Sequence, residues 1–453
     1  MDAFVTRKRR RIEETASAVN DKLEKVDTAR VGEDADSTDT KVAILASLFP
    51  NLESGFLLDL LMSVDGSVEE SIEILKPSQA IHSARKRSAP SIGIQASLIS
   101  FQHKEESVKP SYANLAPLTR RGTTLHLYSP EDIAAHTPCS IVHNFLPAPE
   151  ANELLKGLLA EATTFGRQTF KMFDNVVQSP HSACFYVESV EEQQKQKTEY
   201  LYNGSFLEDI RQLTPQMKSV SSRVQPVVNK EIANRIKNHY PDGKKLHYQS
   251  PEPWIPNAAF VNCYNGGAES VGYHCDQLTY LGPRAVIGSL SLGVAREFRV
   301  RKIVARDDDG EEKGNKISER ADAEGQIAIH LPHNSLLVMH AEMQEEFKHS
   351  IHPAAAIDPH PIAGSKRINV TYRYYRESFH PRYTPRCRCG VATVLRCVQR
   401  RKENRGRYMW MCHTGLTPGN EGCSFFQWAE FDENGNPPWA IRKRSPRATE
   451  TLE

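Results

Sequence analysis

The apolar positions of this chain change their spacing along its length. Between Lys41 and Lys76, VAILASLFP, FLLDLLMSV and VEESIEIL carry apolar residues at helical intervals, with breaks at Asn51 and Gly66. That pattern predicts three short amphipathic helices, a small three-helix bundle. ANELLKGLLAEATT, over 151–164, predicts one more amphipathic helix. Beyond it the period shortens to two. AAFVNCY, AVIGSLSLG, EFRVRKIV, QIAIHL, SLLVMH and RINVTYRYY are β-branched or aromatic-rich and mostly bounded by Gly, Pro or Asn, which predicts short strands. Many strands without alternating long helices imply a mainly β core with flanking helices, an antiparallel sandwich such as a jelly roll.

The intervening stretches set the boundaries. Residues 1–39 are polar and read as a disordered basic tail. Residues 40–78 hold the bundle, and 79–137 are a mixed Ser/Pro/Lys/His linker with one or two short ordered pieces. A catalytic-size β domain spans 138–378, a cysteine-rich module 385–431, and a tail 432–453. Arg306 to Asp322 is a highly charged insertion expected to be a surface loop. A length of 453 residues fits two to four domains.

Composition changes this picture in three places. No apolar run approaches the roughly 20 residues that cross a bilayer, and the charged start MDAFVTRKRRRIEE argues against an export signal. Five of the nine cysteines lie between Cys387 and Cys423, which points to metal in a reducing compartment. Net charge is only +1, but Arg7 to Arg11 form a compact basic run, expected to direct the chain to the nucleus. The region after Tyr372 is also strongly basic.

The sharpest chemical signal is His274-Cys275-Asp276. On an extended segment residues i and i+2 face the same way, so an imidazole and a carboxylate can reach one ion. A downstream histidine would complete a facial triad with open positions for O2 and a co-substrate. His349 is the candidate, with His340 and His352 as competitors. In SKRINVTYRYY, alternation places Arg367, Asn369, Thr371 and Arg373 on one face. Two arginines there can clamp a small dianion through charge-assisted bonds.

Together, His274-x-Asp276, His349 and Arg367-x-Asn369-x-Thr371-x-Arg373 resemble the signature of AlkB-family dioxygenases. Asn262-Cys263-Tyr264 resembles the family's Asn-x-Tyr element, and SLSLGVAREF (289–298) the strand after the metal turn. The resemblance implies a double-stranded β-helix, with Fe(II), 2-oxoglutarate and O2 as metal and co-substrates. It implies that Arg367, Asn369 and Tyr264 hold the far carboxylate of 2-oxoglutarate, with Arg373 and Asn262 nearer the metal. The implied reaction is oxidative dealkylation of nucleic-acid bases, most simply in DNA repair, with RNA as the alternative substrate. An N-terminal lid is expected between Phe165 and Gly204, with Tyr202 stacking on the base and Tyr200 either there or in the core. Many family members carry an acidic residue just after the metal Asp. Here Gln277 and Leu278 stand in those places, which puts binding of 1-methyladenine or 3-methylcytosine in question.

Cys387, Cys389, Cys412 and Cys423 supply four thiolates, enough for a closed Zn(II) site, with His413 and Cys397 as possible substitutes. Asn404 to Tyr408, Trp410 and CSFFQW (423–428) resemble a GRF-type zinc finger. That implies single-stranded DNA binding, with Arg405, Arg407 and Tyr408 as contacts. At least one of Phe425, Phe426 and Trp428 is expected to pack around the zinc site instead. Leu48-Phe49-Pro50 and the leucine-rich helices after it resemble a CUE domain, which implies ubiquitin binding through Phe49 and Pro50. The competing reading from another class is a non-catalytic adaptor between ubiquitin and single-stranded DNA.

Overall fold

The computed structural model describes residues 45, 61, 67–75, 124–172, 175–202, 205–304, 325–416 and 419–440. The Phe49-Pro50 turn, the basic run at Arg7–Arg11 and the charged insertion at 306–322 lie outside them. The chain divides into two compact units, Met1–Ile81 and His82–Glu453. In the first, helix α1 (Val68–Leu75) is described, and Leu45, Leu61 and Ser71 are buried. Ser71 Oγ donates to the Ser67 carbonyl at 2.8 Å, so a polar residue sits inside without an unmet bond.

The second unit is built on strands β1 (Thr124–Leu127), β2 (Cys139–Val142), β3 (Thr169–Met172), β4 (Asn175–Gln178), β5 (Ser182–Val187), β6 (Leu201–Tyr202), β7 (Ser205–Phe206), β8 (Ile210–Gln212), β9 (Ala258–Asn265) and β10 (Val271–His274). They continue as β11 (Ile287–Gly293), β12 (Arg296–Lys302), β13 (Gln326–Leu331), β14 (Ser335–Met339), β15 (Phe347–Ile351), β16 (Lys366–Arg373), β17 (Val394–Cys397), β18 (Tyr408–Met411) and β19 (Phe426–Trp428). Helices α2 (Pro130–His136), α3 (Ala148–Glu161), α4 (Val190–Thr198), α5 (Pro215–His239) and α6 (Met343–Glu346) flank them.

Two sheets form the β-rich core, a jelly-roll arrangement. One has the order β2-β14-β11-β16-β9-β5-β8, the other β1-β13-β12-β15-β10. Alternation decides what each face meets. Val261, Leu290, Leu292, Ile368, Val370 and Tyr372 pack with Leu154, Leu158, Val220 and Val224 of α3 and α5. The opposite face of the same strands carries Asn262, Tyr264, Ser289, Ser291, Arg367, Asn369 and Thr371. Both faces of β11 are covered, so all seven of its residues are buried. That explains why IGSLSLG reads as a continuous apolar run with two small hydroxyls set in it.

Two expected boundaries are corrected. The short ordered pieces expected in the linker lie at 124–137 and belong to the β domain: β1 pairs in parallel with β13, and Ser129 caps α2 by accepting from the Asp132 N–H at 3.1 Å. Nor do residues 432–440 belong to a free tail. Trp439 Nε1 donates to the Ser378 carbonyl at 2.7 Å, and Arg376 donates to Asn436 Oδ1 at 2.9 Å. Gly435, at φ +69°, turns so close that a Cβ would lie 2.2 Å from the Tyr248 carbonyl oxygen.

The cysteine-rich module is part of this same packing. Leu395, Tyr408 and Trp410 belong to one apolar cluster with Leu281, Ile287, Met339 and Phe379. Trp410 is 1% exposed, with its ring 6.4 Å from that of Phe379. Trp410→Ala is therefore expected to cost about 3–5 kcal/mol, read as an earlier urea midpoint for the β core. An unchanged midpoint would mean that the module folds apart from it.

Candidate active site

The metal-binding turn hangs from the end of β10, and its third member lies on the neighbouring strand. β10 and β15 are antiparallel, and His274 pairs directly with His349 across them. Asp276 Oδ1 lies 3.6 Å from Nε2 of His274 and 3.6 Å from Nε2 of His349. Each side chain points one ligand atom to a common centre. The competitors drop out. His340 is buried with Nε2 3.1 Å from Ser140 Oγ, and neither it nor His352 joins this group.

The surroundings prepare these atoms for a cation. His274 Nδ1 lies 2.8 Å from the Gly272 carbonyl, so Nδ1 carries the proton and Nε2 keeps its lone pair. His349 stacks on Phe298 at 5.2 Å, and burial pushes its pKa down to about 4. It is neutral near pH 7 and able to ligate. Burial alone would raise the Asp276 carboxyl. The Arg373 guanidinium, 2.7 Å from Oδ2, reverses this and holds it well below the usual carboxylate range. Two imidazoles and one fixed carboxylate are the donor set of a facial triad for Fe(II).

The clamp lies deeper, between the sheets. Arg367 is 1% exposed, and its NH2 donates to Ser291 Oγ at 2.8 Å and Asn369 Oδ1 at 2.9 Å. Among the described residues, its Nε and NH1 have no hydrogen-bond partner. Asn369 Oδ1 also accepts from Ser289 Oγ at 2.8 Å, and its Nδ2 donates to Thr371 Oγ1 at 2.7 Å. Asn369 and Thr371 thus fix Arg367 in place. Burial lowers the Arg367 pKa to about 10, and the nearest aromatic, Tyr264, lies 5.3 Å from its guanidinium carbon. A buried guanidinium with two unanswered N–H groups fits a carboxylate ligand. The residues present fit 2-oxoglutarate as they fit iron.

Above the triad stands an aromatic wall. Tyr202 packs on Phe260 at 5.1 Å, and Arg373 lies 5.0 Å from the centre of the Phe260 ring. The Arg373 charge also acts on the hydroxyls of Tyr202 and Tyr375. The sequence reading missed Phe260 and Tyr375. For Phe260 the signal was there: it lies two residues along β9 from Asn262, on the same face; Tyr375 lies beyond the end of β16, where alternation no longer applies. The expected lid region contains two hairpins, β3–β4 and β6–β7.

Other expected contacts are corrected. Tyr200 is buried against Tyr280 at 4.7 Å and His380 at 5.0 Å, so it is core and not a base platform. Leu278 is 4% exposed inside the apolar cluster, so it is core. Gln277 is half-buried beside Asp276. Asn262 lies opposite Asn369 in register, and its side chain is half-buried.

The sulfurs of Cys387, Cys389, Cys412 and Cys423 converge, as Zn(II) with four thiolates requires. Cys412 accepts from the Cys423 N–H at 3.4 Å, and its thiol is brought down to about 6 despite some desolvation, chiefly by hydrogen bonds from Thr414 and Cys423. The substitutes are excluded: His413 Nε2 bonds the Ala392 carbonyl at 3.0 Å, and Cys397 packs against the apolar cluster. Arg407 is exposed and stacks 3.7 Å over the Trp428 ring, with Phe426 half exposed beside it. Phe425 is the aromatic that packs inward. Arg405 is exposed but donates to the Ile303 carbonyl at 2.8 Å. Tyr408 cannot stack on a base, because it is 3% exposed and donates to Glu345 Oε1 at 3.0 Å.

A further His/Glu/His group, His126, Glu297 and His330, lies on the outer faces of β1, β12 and β13. Its donors are already engaged. His126 Nδ1 and His330 Nε2 bond each other at 2.9 Å, and Arg299 holds Glu297 at 2.8 Å.

Comparison with known proteins agrees with this geometry. Residues 138–373, just over half of the chain, match the family profile described as the 2OG-Fe(II) oxygenase superfamily, and residues 385–432 match that of the GRF zinc finger. DNA oxidative demethylase ALKBH2 of Arabidopsis thaliana is 31% identical over 122 residues, 26% of this chain and 37% of that protein. Alpha-ketoglutarate-dependent dioxygenase alkB homolog 3 of Bos taurus is 32% identical over 117 residues, 26% of this chain and 36% of that protein. DNA oxidative demethylase ALKBH2 of Homo sapiens is 26% identical over 141 residues, 27% of this chain and 48% of that protein. The chain thus spans between about a third and a half of the length of these relatives.

Proposed function

This chain belongs to the 2OG-Fe(II) oxygenase superfamily, and from that premise we propose that it oxidatively dealkylates nucleic-acid bases, chiefly in DNA. The observation that carries this reading is the pairing of a His274/Asp276/His349 centre with a buried Arg367 whose Nε and NH1 have no hydrogen-bond partner among the described residues. His274, Asp276 and His349 would hold Fe(II), and Arg367 with Tyr264 would hold the far carboxylate of 2-oxoglutarate. When bound, the iron, 2-oxoglutarate and O2 supply an oxidation that hydroxylates an N-alkyl carbon and yields succinate and CO2.

The chain's own part is placement. Arg373 keeps Asp276 ionised, and the Gly272 carbonyl keeps the His274 lone pair directed inward. Tyr202, Phe260 and Tyr375 give an apolar wall beside the triad, which excludes water and offers a face for a flipped base. The hydroxyalkyl product on nitrogen then breaks down to the free base and an aldehyde.

The choice of nucleic acid rests on three supports: the demethylases among the relatives, the zinc module, and its position. Thr414–Leu416 of that module lies alongside β3 of the lid region. A strand held on Arg407, Phe426 and Trp428 would therefore pass close to the lid. In the same reading the basic run directs the chain to the nucleus, and the N-terminal bundle recruits it to ubiquitinated partners through Phe49 and Pro50. The amphipathic α1 and buried Leu45 and Leu61 support a small packed bundle there.

Succinate formation tests the substrate class. A methylated single-stranded oligodeoxynucleotide is expected to stimulate it, and its unmethylated twin is not. Tyr202→Ala should remove most of that stimulation, about tenfold or more, since base stacking contributes roughly 1–3 kcal/mol. Equal stimulation of wild type and Tyr202→Ala would remove the aromatic wall from base recognition. No stimulation by either oligonucleotide would favour the adaptor reading.

A further inference from the structure

We infer that the zinc module is a working part of the iron site, joined to it by Gln399 as a positioning residue. This rests on the reading of His274, Asp276 and His349 as the metal ligands. The ligands come from two segments that must hold a fixed separation: the turn after β10, and β15, which α6 leads into. One amide of the zinc module touches both. Gln399 Nε2 donates to Cys275 Sγ at 3.2 Å and to the Gln344 carbonyl at 2.9 Å. Cys275 stands between the two ligands of the turn, and its thiol donates to the Phe347 carbonyl at 3.2 Å. Gln344 in α6 in turn accepts the Asp276 N–H on its Oε1 at 2.7 Å.

The rest of the module grips the same short helix. Tyr408 bonds Glu345, whose Oε1 also accepts the Arg284 N–H at 2.8 Å. Arg405 holds the Ile303 carbonyl at 2.8 Å, and the Ile303 N–H donates to the Glu346 carbonyl at 2.8 Å. A four-residue helix cannot stabilise itself, so these outside bonds set where α6 lies and, through it, where His349 sits relative to Asp276. Groups that orient metal ligands from behind commonly govern metal affinity 10–100-fold.

The test is anaerobic titration of the full, zinc-loaded chain with Fe(II) against a competing chelator. Gln399→Ala should weaken Fe(II) binding about tenfold at unchanged zinc content. Gln399→Glu has the same shape but lacks both donated bonds, so it should lose as much. Wild-type affinity in Gln399→Glu would reduce Gln399 to a packing residue and overturn the inference, as would wild-type affinity in both variants. Should Gln399→Ala melt early, the cycle with Gln344→Ala decides. Non-additive losses in affinity support the link through α6 and the turn, and additive ones refute it. His349→Ala separates this from the underlying reading. If it binds Fe(II) like wild type, the ligand assignment itself is wrong. If it loses Fe(II) and the Gln399 variants do not, only the present inference falls.

Discussion

Asp276→Ala is expected to lose Fe(II) binding and to lower turnover on the order of a thousandfold or more. The carboxylate is the single anionic ligand, and it is buried against Arg373 at 2.7 Å. Removing it takes away a charged ligand and strands a guanidinium in the same place. Breaking a buried pair in this way costs about 3–5 kcal/mol, which alone corresponds to more than a hundredfold in an equilibrium constant. The apo protein should be destabilised as well. Asp276 is held below its ordinary value of 3.8, so its contribution to stability is present above that pH and is lost as pH falls through the depressed value. Urea midpoints of wild type and Asp276→Ala should therefore converge in strong acid and separate at neutral pH. A variant that keeps wild-type Fe(II) affinity would exclude Asp276 from the site.

Arg367→Met should move co-substrate affinity and apo stability in opposite directions. Arg367 is buried beside Ser291 and Asn369, and among the described residues its Nε and NH1 meet no hydrogen-bond partner and no carboxylate pairs with it. In the absence of 2-oxoglutarate this charge is an uncompensated cost, so a thioether of similar length should leave stability unchanged or raise it. With 2-oxoglutarate present, two charge-assisted bonds are lost. At about 1.5–3 kcal/mol for a bond to a charged group, the KM for 2-oxoglutarate should rise roughly a hundredfold or more. Arg367→Lys should recover little, because a point charge cannot reproduce a forked donor. A large fall in apo stability with an unchanged KM would make Arg367 a structural residue.

Both sites were legible in the sequence for the same physical reason. Strand alternation has period two, so His274 and Asp276, or Arg367, Asn369, Thr371 and Arg373, share a face whatever the fold around them. Followed one step further along β9, the same rule reaches Phe260. Cysteine spacing was equally direct, because four thiolates within 37 residues have few arrangements around one ion. Contacts made across sequence were not legible. Nothing local distinguishes Tyr408 as a buried partner of Glu345 from Tyr408 as a base platform. Tyr200 and Leu278 failed likewise: their neighbours in sequence line the site, but their own side chains turn to the core. The four-residue β1 was too short to show a period, and it is held by pairing with β13, 202 residues away. Gln399 is one amide in a basic stretch, and only the docking of the module onto α6 gives it a role.

Formaldehyde release from a methylated single-stranded oligodeoxynucleotide, with Fe(II) and ascorbate and with or without 2-oxoglutarate, bears most directly on the proposed activity. Release that needs 2-oxoglutarate and vanishes in Asp276→Ala is the expected result. No release from iron-loaded, folded protein, or release that persists without 2-oxoglutarate or in Asp276→Ala, would refute base dealkylation at this centre.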